Sequence, residues 1–224
     1  MNGHNNIQEC RRCGTCCEKG GPSFHGRDKA LIEKGAIHTR YLYTIRKGEK
    51  VRDNILNELV IADAEIIKIK GKDTAWTCHF YDPENKGCSI YAQRPLECRV
   101  LTCWDTTAIR QAYNRDRLER RDLLKGIDGL WSLIEDHEQR CSYEKMTQIM
   151  GDLKGSFRNT AVAAVMQMIR YDMEIRNLVV EKGGMEADMT DFLFGRPLTT
   201  TIAMYGYRVK RVDGKYALAN LLER

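Results

Sequence analysis

The crowding of four cysteines into eight residues near the N-terminus constrains this chain more than any other sequence feature. Cys10, Cys13, Cys16 and Cys17 form the pattern C-x2-C-x2-C-C. A buried structural cysteine normally occurs singly, as a small apolar residue. Four thiols this close together therefore indicate disulfides, a metal site or a redox centre.

A second group of cysteines follows about sixty residues later in the chain. Cys78, Cys88, Cys98 and Cys103 are separated by nine, nine and four residues, and Cys141 stands apart. No apolar export signal begins the sequence, which predicts a reducing, cytoplasmic location. In such a compartment clustered cysteines are metal ligands or redox groups more often than disulfides. The odd total of nine cysteines also argues against a complete disulfide framework, so metal binding is the favoured interpretation.

Composition and charge exclude several other classes of protein. The 224 residues, 42% of them hydrophobic, can bury a core, so the chain does not need a metal merely because it is small. No apolar run approaches the ~20 residues of a membrane span. The 36 basic residues are nearly balanced by 31 acidic ones. Even the arginine-rich residues 110–125 contain interspersed acidic residues, as on a solvated helix face. This pattern argues against a nucleic-acid surface.

Apolar patterning predicts an α+β fold, in which a small cysteine-rich metal-binding domain with short strands packs on a mainly helical remainder. The change in composition predicts a boundary between residues 1–105 and residues 106–224. Helices are predicted over residues 28–48, 96–103, 109–124, 130–153 and 156–182, with Gly35 as a point where the first of them can divide in two. Strands are predicted over residues 65–70 and 74–81, with a turn at 82–87, and a β-hairpin over 207–218 with Asp213-Gly214 at its turn.

The number of cysteines exceeds the four ligands of one tetrahedral zinc site, which predicts two sites or one polynuclear cluster. The adjacent side chains of Cys16 and Cys17 point in different directions, which argues against a shared mononuclear ion. We expect Cys10, Cys13 and Cys16 to share one centre, with Cys17 reaching toward the second group. Cys98 and Cys103 lie about 140° apart on an ideal helix, so they can bind one metal only if the helix ends between them.

The neighbours of these cysteines allow more than one interpretation. His79 follows Cys78 and could replace a sulfur ligand of the metal. The side chain next to a ligand usually points away from the metal, however, which argues against this role. Cys141 lies in a helical segment and is predicted to be a packed thiol. Four arginines beside cysteines either offset thiolate charge or are ordinary surface residues: Arg11, Arg12, Arg94 and Arg99.

The spacing of the first cysteines favours iron–sulfur over zinc. C-x2-C-x2-C resembles the first three ligands of a ferredoxin-type [4Fe–4S] cluster, although the following Cys-Pro is missing. Zinc sites usually use two separated C-x2-C pairs. The sequence therefore predicts an iron–sulfur cluster, with Zn2+ as the alternative.

The two cysteine groups together form a recognisable motif. Cys10-x2-Cys13-x2-Cys16-Cys17 is followed by Gly87-Cys88-Ser89-Ile90-Tyr91-x2-Arg94-Pro95-x2-Cys98-Arg99-x3-Cys103. This combination resembles the YkgJ-type cysteine-cluster family, described as zinc- or iron-chelating, over about residues 10–105. The resemblance implies that eight cysteines are metal-associated: Cys10, Cys13, Cys16, Cys17, Cys78, Cys88, Cys98 and Cys103.

Three functions are consistent with this sequence. The first is an iron–sulfur protein for electron transfer or redox chemistry. The second is a structural zinc module whose helical part binds a partner protein. The third is an iron–sulfur enzyme related to flagellin lysine methylase, which the shared cysteine pattern suggests. No Ser/His/Asp set, phosphate loop or paired carboxylates favour a hydrolase or kinase. We expect the first of these functions.

Overall fold

The computed structural model describes residues 10, 12–53, 55–72 and 76–222 of the chain. The strands in this part are short, and six of them form antiparallel hairpins, β2 with β3, β5 with β6 and β7 with β8. Their bounds are β1 (Leu42–Ile45), β2 (Lys50–Asp53), β3 (Glu58–Ile61), β4 (Ile66–Ile69), β5 (Tyr81–Asp82), β6 (Gly87–Cys88), β7 (Tyr207–Val212) and β8 (Lys215–Asn220).

Helices dominate the C-terminal half of the described chain. Along the whole described part, the helices are α1 (Thr15–Glu18), α2 (Lys29–Glu33), α3 (Leu96–Val100), α4 (Thr107–Ala112), α5 (Arg120–Leu123), α6 (Asp128–Arg140), α7 (Tyr143–Gly151), α8 (Arg158–Glu181), α9 (Thr190–Phe194) and α10 (Leu198–Thr201). Short 3-10 turns supplement them at Gly26–Asp28, Thr39–Tyr41, Tyr91–Gln93, Asp152–Lys154, Ala187–Met189 and Ile202–Tyr205. Separate helices and antiparallel hairpins confirm the α+β class. In the described part, none of the helices combines the length and apolar character that a bilayer crossing requires.

The chain divides into two compact units, and each is made of more than one stretch of sequence. The first unit comprises Met1–Leu42 and Ile66–Leu123, and the second comprises Tyr43–Glu65 and Leu124–Arg224. All eight cysteines of the sequence motif belong to the first unit, and Cys141 belongs to the second.

The second unit is built around helix α8, which confirms the helix predicted over residues 156–182. Val165 and Ile169 on this helix are fully buried, because its apolar stripe is wide enough to face several neighbours. The core around it includes Cys141, Tyr143, Met146, Val165, Met166, Met168, Ile169, Leu198 and Ile202.

The predicted C-terminal hairpin is also confirmed. Asp213 and Gly214 adopt positive φ angles of 48° and 77°, as a two-residue turn with the twist of a β-hairpin requires. The register pairs Val209 with Leu218, and both side chains pack against the core of the second unit. Turn chemistry and apolar alternation therefore predicted the same structure.

The helix predicted over residues 28–48 is wrong in its second half. Helix α2 ends at Glu33, and Gly35 follows it with a φ of 72°. The chain then passes through the 3-10 turn Thr39–Tyr41 into strand β1, whose four residues are all buried. Burial of consecutive residues suits an extended segment covered on both sides better than one face of a helix.

Other predicted elements are shorter than expected. Residues 109–124 contain α4 and α5 with an irregular segment between them, and residues 130–153 break at Ser142, whose hydroxyl accepts a hydrogen bond from Lys145 N at 3.4 Å. The strand predicted over 65–70 is confirmed as β4. The partner strand predicted over 74–81 is represented by an isolated antiparallel β-bridge between Gly71 and Cys78. Residues 73–75 lie outside the described part.

Candidate metal centre

Four segments of the first unit carry the eight motif cysteines. Cys10 and Cys13 precede α1, which holds the next two cysteines of the pattern. Cys78 follows β4, Cys88 lies in β6 and Cys98 lies in α3, with Cys103 beyond the end of that helix. All nine cysteines of the chain are free thiols.

A glycine turn directs the N-terminal cysteines. Gly14 has a φ of 82° and its carbonyl oxygen accepts a 2.9 Å hydrogen bond from Glu18 N, which closes the single turn of α1. A Cβ atom at Gly14 would overlap the Tyr81 hydroxyl oxygen. Only glycine therefore combines this backbone conformation with this close approach.

Backbone hydrogen bonds join the N-terminal segment to the second cysteine group. The N–H of Cys78 donates to the carbonyl oxygen of Cys17 at 2.8 Å. Tyr81 N then donates to the Cys78 carbonyl at 3.0 Å, and Tyr81 pairs with Cys88 across the β5–β6 hairpin. Asp82 stabilises the predicted turn, since its Oδ1 accepts from Glu84 N at 3.0 Å.

Solvent exposure divides the eight cysteines into two groups of four. Cys78 is only 5% exposed. We call the buried and half-buried cysteines the inner set: Cys17, Cys78, Cys88 and Cys98. We call the exposed cysteines the outer set: Cys10, Cys13, Cys16 and Cys103.

Neighbouring cysteines raise one another's pKa values, across the two sets as well as within them. The pKa of Cys98 is raised, first by burial and then by the negative charges of Cys78, Cys16 and Cys88. The pKa of Cys103 is raised by partial burial and then by the charges of Cys16, Cys13 and Cys10. Without a metal, such thiols stay protonated, and a metal that binds them must displace their protons.

Cys16 and Cys17 are adjacent thiols in α1, where the two sets meet in sequence. The interaction between these two thiols lowers the pKa of Cys16 and raises the pKa of Cys17. The thiolate is the form in which a cysteine binds a metal.

The arginines beside the cysteines have other contacts. Arg12 and Arg94 stack on the Tyr91 ring, with their guanidinium carbons 4.3 Å and 3.9 Å from its centroid. Arg99 donates to the buried carboxylate of Asp28 at 3.2 Å. Arg11 lies outside the described residues. These contacts do not support a direct role in charge compensation for the three described arginines.

Lys68 is a cation near the inner set that the sequence analysis did not identify. Burial lowers its pKa, while the negative charges of Glu97, Cys98 and Cys78 act in the opposite direction. Its Nζ donates to Ser23 Oγ at 3.3 Å. Lys68 alternates with the buried Ile67 and Ile69 along β4, so the sequence pattern alone resembles an ordinary strand with one polar face.

A buried polar network supports the helix that carries Cys98. Glu97 Oε2 accepts a hydrogen bond from Ser23 N at 2.7 Å, and Glu97 Oε1 lies 3.2 Å from His25 Nε2. His25 Nδ1 lies 2.7 Å from the Arg115 carbonyl oxygen, which can only accept. Both ring nitrogens thus face acceptors, and the pKa of His25 is raised, chiefly by its hydrogen bond to Glu97.

His79 and Cys141 both have packing roles. The ring of His79 stacks on Tyr41 with centroids 4.4 Å apart, so it packs against an aromatic residue. Cys141 is fully buried in the core of the second unit, and its Sγ donates to the Met168 carbonyl at 3.6 Å. The prediction that Cys141 is a packed thiol is confirmed.

Cys13 of the outer set lines a surface recess of about 470 Å3. Its lining residues include two cations and one cysteine of the set: Arg12, Cys13, Asn85, Lys86 and Gly87. The backbone is left-handed at both cations, with φ angles of 52° for Arg12 and 47° for Lys86. Solvent therefore reaches this side of the cysteine group.

Within the described ranges, no group of three or more His, Cys, Asp or Glu side chains is arranged so that it could hold a metal ion. The chemistry of the donor set does fit one. Eight free thiols lie in four segments of one unit, and a backbone hydrogen bond joins the segments of Cys17 and Cys78. Thiolates are the ligands that zinc and iron–sulfur centres share.

Comparison with known proteins supports the same chemistry. Residues 9–117 match the family model CxxCxxCC, described as a putative zinc- or iron-chelating domain. No curated protein and no solved structure matches the chain. The match spans both cysteine groups and confirms the resemblance found in the motif. Residues 9–117 of this chain are therefore similar to the CxxCxxCC domain, the domain described as zinc- or iron-chelating.

Proposed function

We propose that the first unit holds an iron–sulfur centre, of the [4Fe–4S] type, for electron transfer or redox chemistry. Its ligands are drawn from the eight cysteines of the inner and outer sets defined above. One observation carries the proposal: eight free thiols from four segments lie in one compact unit, where a backbone hydrogen bond joins the Cys17 and Cys78 segments. A metal that binds these thiols displaces their protons, because the thiolate is the form that coordinates a metal.

The spacing of the N-terminal cysteines favours an iron–sulfur centre over zinc. Three cysteines with two residues between neighbours, and a fourth from a distant part of the chain, suit the four iron corners of a cubane cluster. The interaction with the Cys17 thiol lowers the pKa of Cys16, which favours the thiolate form that binds metal. When bound, an iron–sulfur centre supplies one-electron chemistry that no side chain offers. The chain supplies the ligands, their burial and their surrounding charges.

A structural zinc module is the second candidate, and burial favours it. Cys78 is 5% exposed and Cys98 is half-buried. Structural zinc sites are closed, with four protein ligands and no open position. In this case the module stabilises the first unit, and the protein acts through a partner protein.

Absorption of anaerobically purified protein tests the proposal. We expect a broad visible band that dithionite bleaches, as thiolate-ligated iron gives. Cys13→Ser and Cys98→Ser should each weaken the band. Cys141→Ser is the matched control, because its buried thiol packs in the second unit and the variant should retain the full band at a cost of at most about 1–2 kcal/mol. Colourless protein with bound zinc favours the structural module instead.

A further inference from the structure

We propose that one face of the β2–β3 hairpin is a docking surface for an acidic partner protein. We call it the hairpin face and define it by four residues: Lys50, Arg52, Leu59 and Ile61. The hairpin belongs to the second unit, so the inference goes beyond the proposed metal centre and does not depend on which metal is bound.

The strand register assigns these four side chains to one side of the hairpin. Lys50 pairs with Ile61 and Arg52 pairs with Leu59, and directly opposite residues of an antiparallel pair share a face. All four residues are exposed, Leu59 and Ile61 each to 61%. The hairpin face therefore combines two aliphatic side chains with two cations.

The exposed aliphatic side chains are the first observation that points to a partner. A single exposed aliphatic residue is ordinary, but a cluster rimmed by polar residues marks a contact surface. Leu56, in the turn of the same hairpin, is also 62% exposed. In the described part of the chain, β2 and β3 form a sheet of two strands, so no further strand there pairs with β3. Leu59 and Ile61 are therefore available to another molecule.

Charge complementarity selects an acidic occupant. Arg52 donates to the amide oxygen of Asn57 at 2.8 Å, and neither Arg52 nor Lys50 forms an ion pair with a described carboxylate. The register pairs Asp53 with Glu58, which places both of these carboxylates on the opposite face from the two cations. Carboxylates of a partner would therefore meet two cations and no like charge on the hairpin face.

The second unit holds the base of the hairpin in place. Lys50 N donates to Met204 Sδ at 3.3 Å, and Met204 packs against the core of this unit. Glu49, next to Lys50 in sequence, is fully buried and accepts a 2.6 Å hydrogen bond from Arg196 Nε. This carboxylate therefore has its own cation and does not compete for Lys50. A surface held in this way loses little conformational freedom on binding.

Two other occupants fit the hairpin face less well. Anionic lipid headgroups would repel Glu58, which is exposed beside the turn. A two-fold contact with a second copy would place the same residues, two of them cations, on both sides of the interface. A patch of four residues also suits a small, transient contact better than an obligate dimer.

Fluorescence anisotropy with defined peptides tests the surface on purified full-length protein with its metal bound. Three short labelled peptides alternate glutamate with leucine, lysine with leucine, and glutamate with serine. We expect the glutamate–leucine peptide alone to bind, because the hairpin face requires both carboxylates and aliphatic groups. Its affinity should fall as the salt concentration rises, because salt screens exposed charges.

Charge reversal identifies the residues that bind the peptide. The double variant Lys50→Glu with Arg52→Glu should bind about tenfold more weakly, as the loss of two exposed ion pairs gives. Lys210→Glu with Lys215→Glu is the matched control, because it makes the same change of charge at exposed positions of the β7–β8 hairpin. The control should bind the peptide as the wild type does.

Removal of the aliphatic groups completes the test. Leu59→Ser with Ile61→Ser should also weaken binding, in protein that remains folded by circular dichroism. Loss of binding in both hairpin-face variants and its retention in the control support the inference. Equal binding of the lysine–leucine peptide, equal binding by all variants, or no binding of any peptide overturns it.

Two further measurements exclude the other occupants. Sedimentation with phosphatidylserine vesicles that requires the four residues would assign the hairpin face to a lipid surface and overturn the inference. A dimer of the wild type that Leu59→Ser with Ile61→Ser dissociates would assign it to a second copy and overturn it as well. Metal content, measured in the same samples, tests the proposed function separately.

Discussion

The backbone N–H of Cys78 donates a 2.8 Å hydrogen bond to the carbonyl oxygen of Cys17. This bond joins two cysteine segments that are about sixty residues apart in sequence. The hydrogen bond uses only main-chain atoms, so it leaves both thiols available to bind a metal. It therefore places an N-terminal cysteine next to a cysteine of the second group.

A metal that bridges these segments should be part of the stability of the first unit. Closing a loop of about sixty residues removes about 4 kcal/mol of chain entropy from the unfolded state, by analogy with a disulfide. Chelation should therefore raise amide hydrogen exchange in residues 12–25 and 78–104, with helix α8 as the internal control. Unchanged exchange in both cysteine segments after metal removal would contradict this prediction.

Gly14→Ala should lower the metal content of the protein. Its backbone is left-handed, which costs a residue with a Cβ about 1–2 kcal/mol, and the added Cβ would collide with Tyr81 opposite Cys88. Gly35→Ala is the matched control, because Gly35 has a φ of 72° and no atom within 4 Å of the added Cβ. Both variants should be destabilised, but only Gly14→Ala should lose metal in elemental analysis. Equal metal content in the two variants would rule out a role for the Tyr81 contact.

Asp28→Ala should destabilise the start of helix α3, which carries Cys98. The buried carboxylate of Asp28 accepts hydrogen bonds from Leu96 N at 2.8 Å and from His25 N at 3.1 Å. Leaving a buried N–H unsatisfied costs about 1–3 kcal/mol. Asp28→Asn retains one acceptor oxygen and should lose less. Chemical unfolding of both variants measures the difference, and indistinguishable stabilities would show that these bonds do not matter.

The second unit should lose stability in mild acid through His137. Burial lowers the pKa of His137, and the charges of Arg46 and Arg176 act in the same direction against its hydrogen bond to Asp172. The unfolded chain therefore takes up a proton near the usual His pKa of about 6.5, where folded His137 stays neutral. The free energy of unfolding should fall below that pH, by at most about 1.4 kcal/mol per pH unit.

His137→Gln removes this titration and provides the comparison. Urea unfolding from pH 7.5 to pH 5 should give a shallower pH slope for the variant than for the wild type. Because His25 is present in both proteins, its opposite contribution cancels in the difference. Parallel slopes would mean that His137 binds its proton equally in the folded and unfolded chains.

Local patterns predicted the elements whose chemistry is local. Asp213-Gly214 between alternating apolar residues indicated the hairpin β7–β8, and the wide apolar stripe of residues 156–182 indicated α8. The same reasoning failed over residues 28–48. There the apolar spacing suits a helix, but Leu42–Ile45 is buried on consecutive positions and extends as β1. Tertiary burial overrode the periodicity, as it often does for short segments.

The candidate site shows the same limit. The cysteine motif identified the eight candidate ligands and predicted that the side chains of Cys16 and Cys17 point in different directions. It could not predict the assignment of Cys103 to the exposed set, because that depends on where α3 ends. Nor could it identify Lys68, whose interaction with Cys78 and Cys98 depends on how distant segments pack. The assignment of all eight cysteines as metal ligands and the domain boundary near residue 105 stay predictions.

Iron, zinc and acid-labile sulfide, measured together in anaerobically purified full-length protein, test the central claim most directly. The account predicts bound iron with a similar amount of sulfide, and loss of both when Cys13 and Cys98 are replaced by serine but not when Cys141 is. Zinc without iron or sulfide would contradict the iron–sulfur assignment and support the structural module. Protein with no metal at all, even when it is prepared without oxygen or chelator, would contradict metal binding itself.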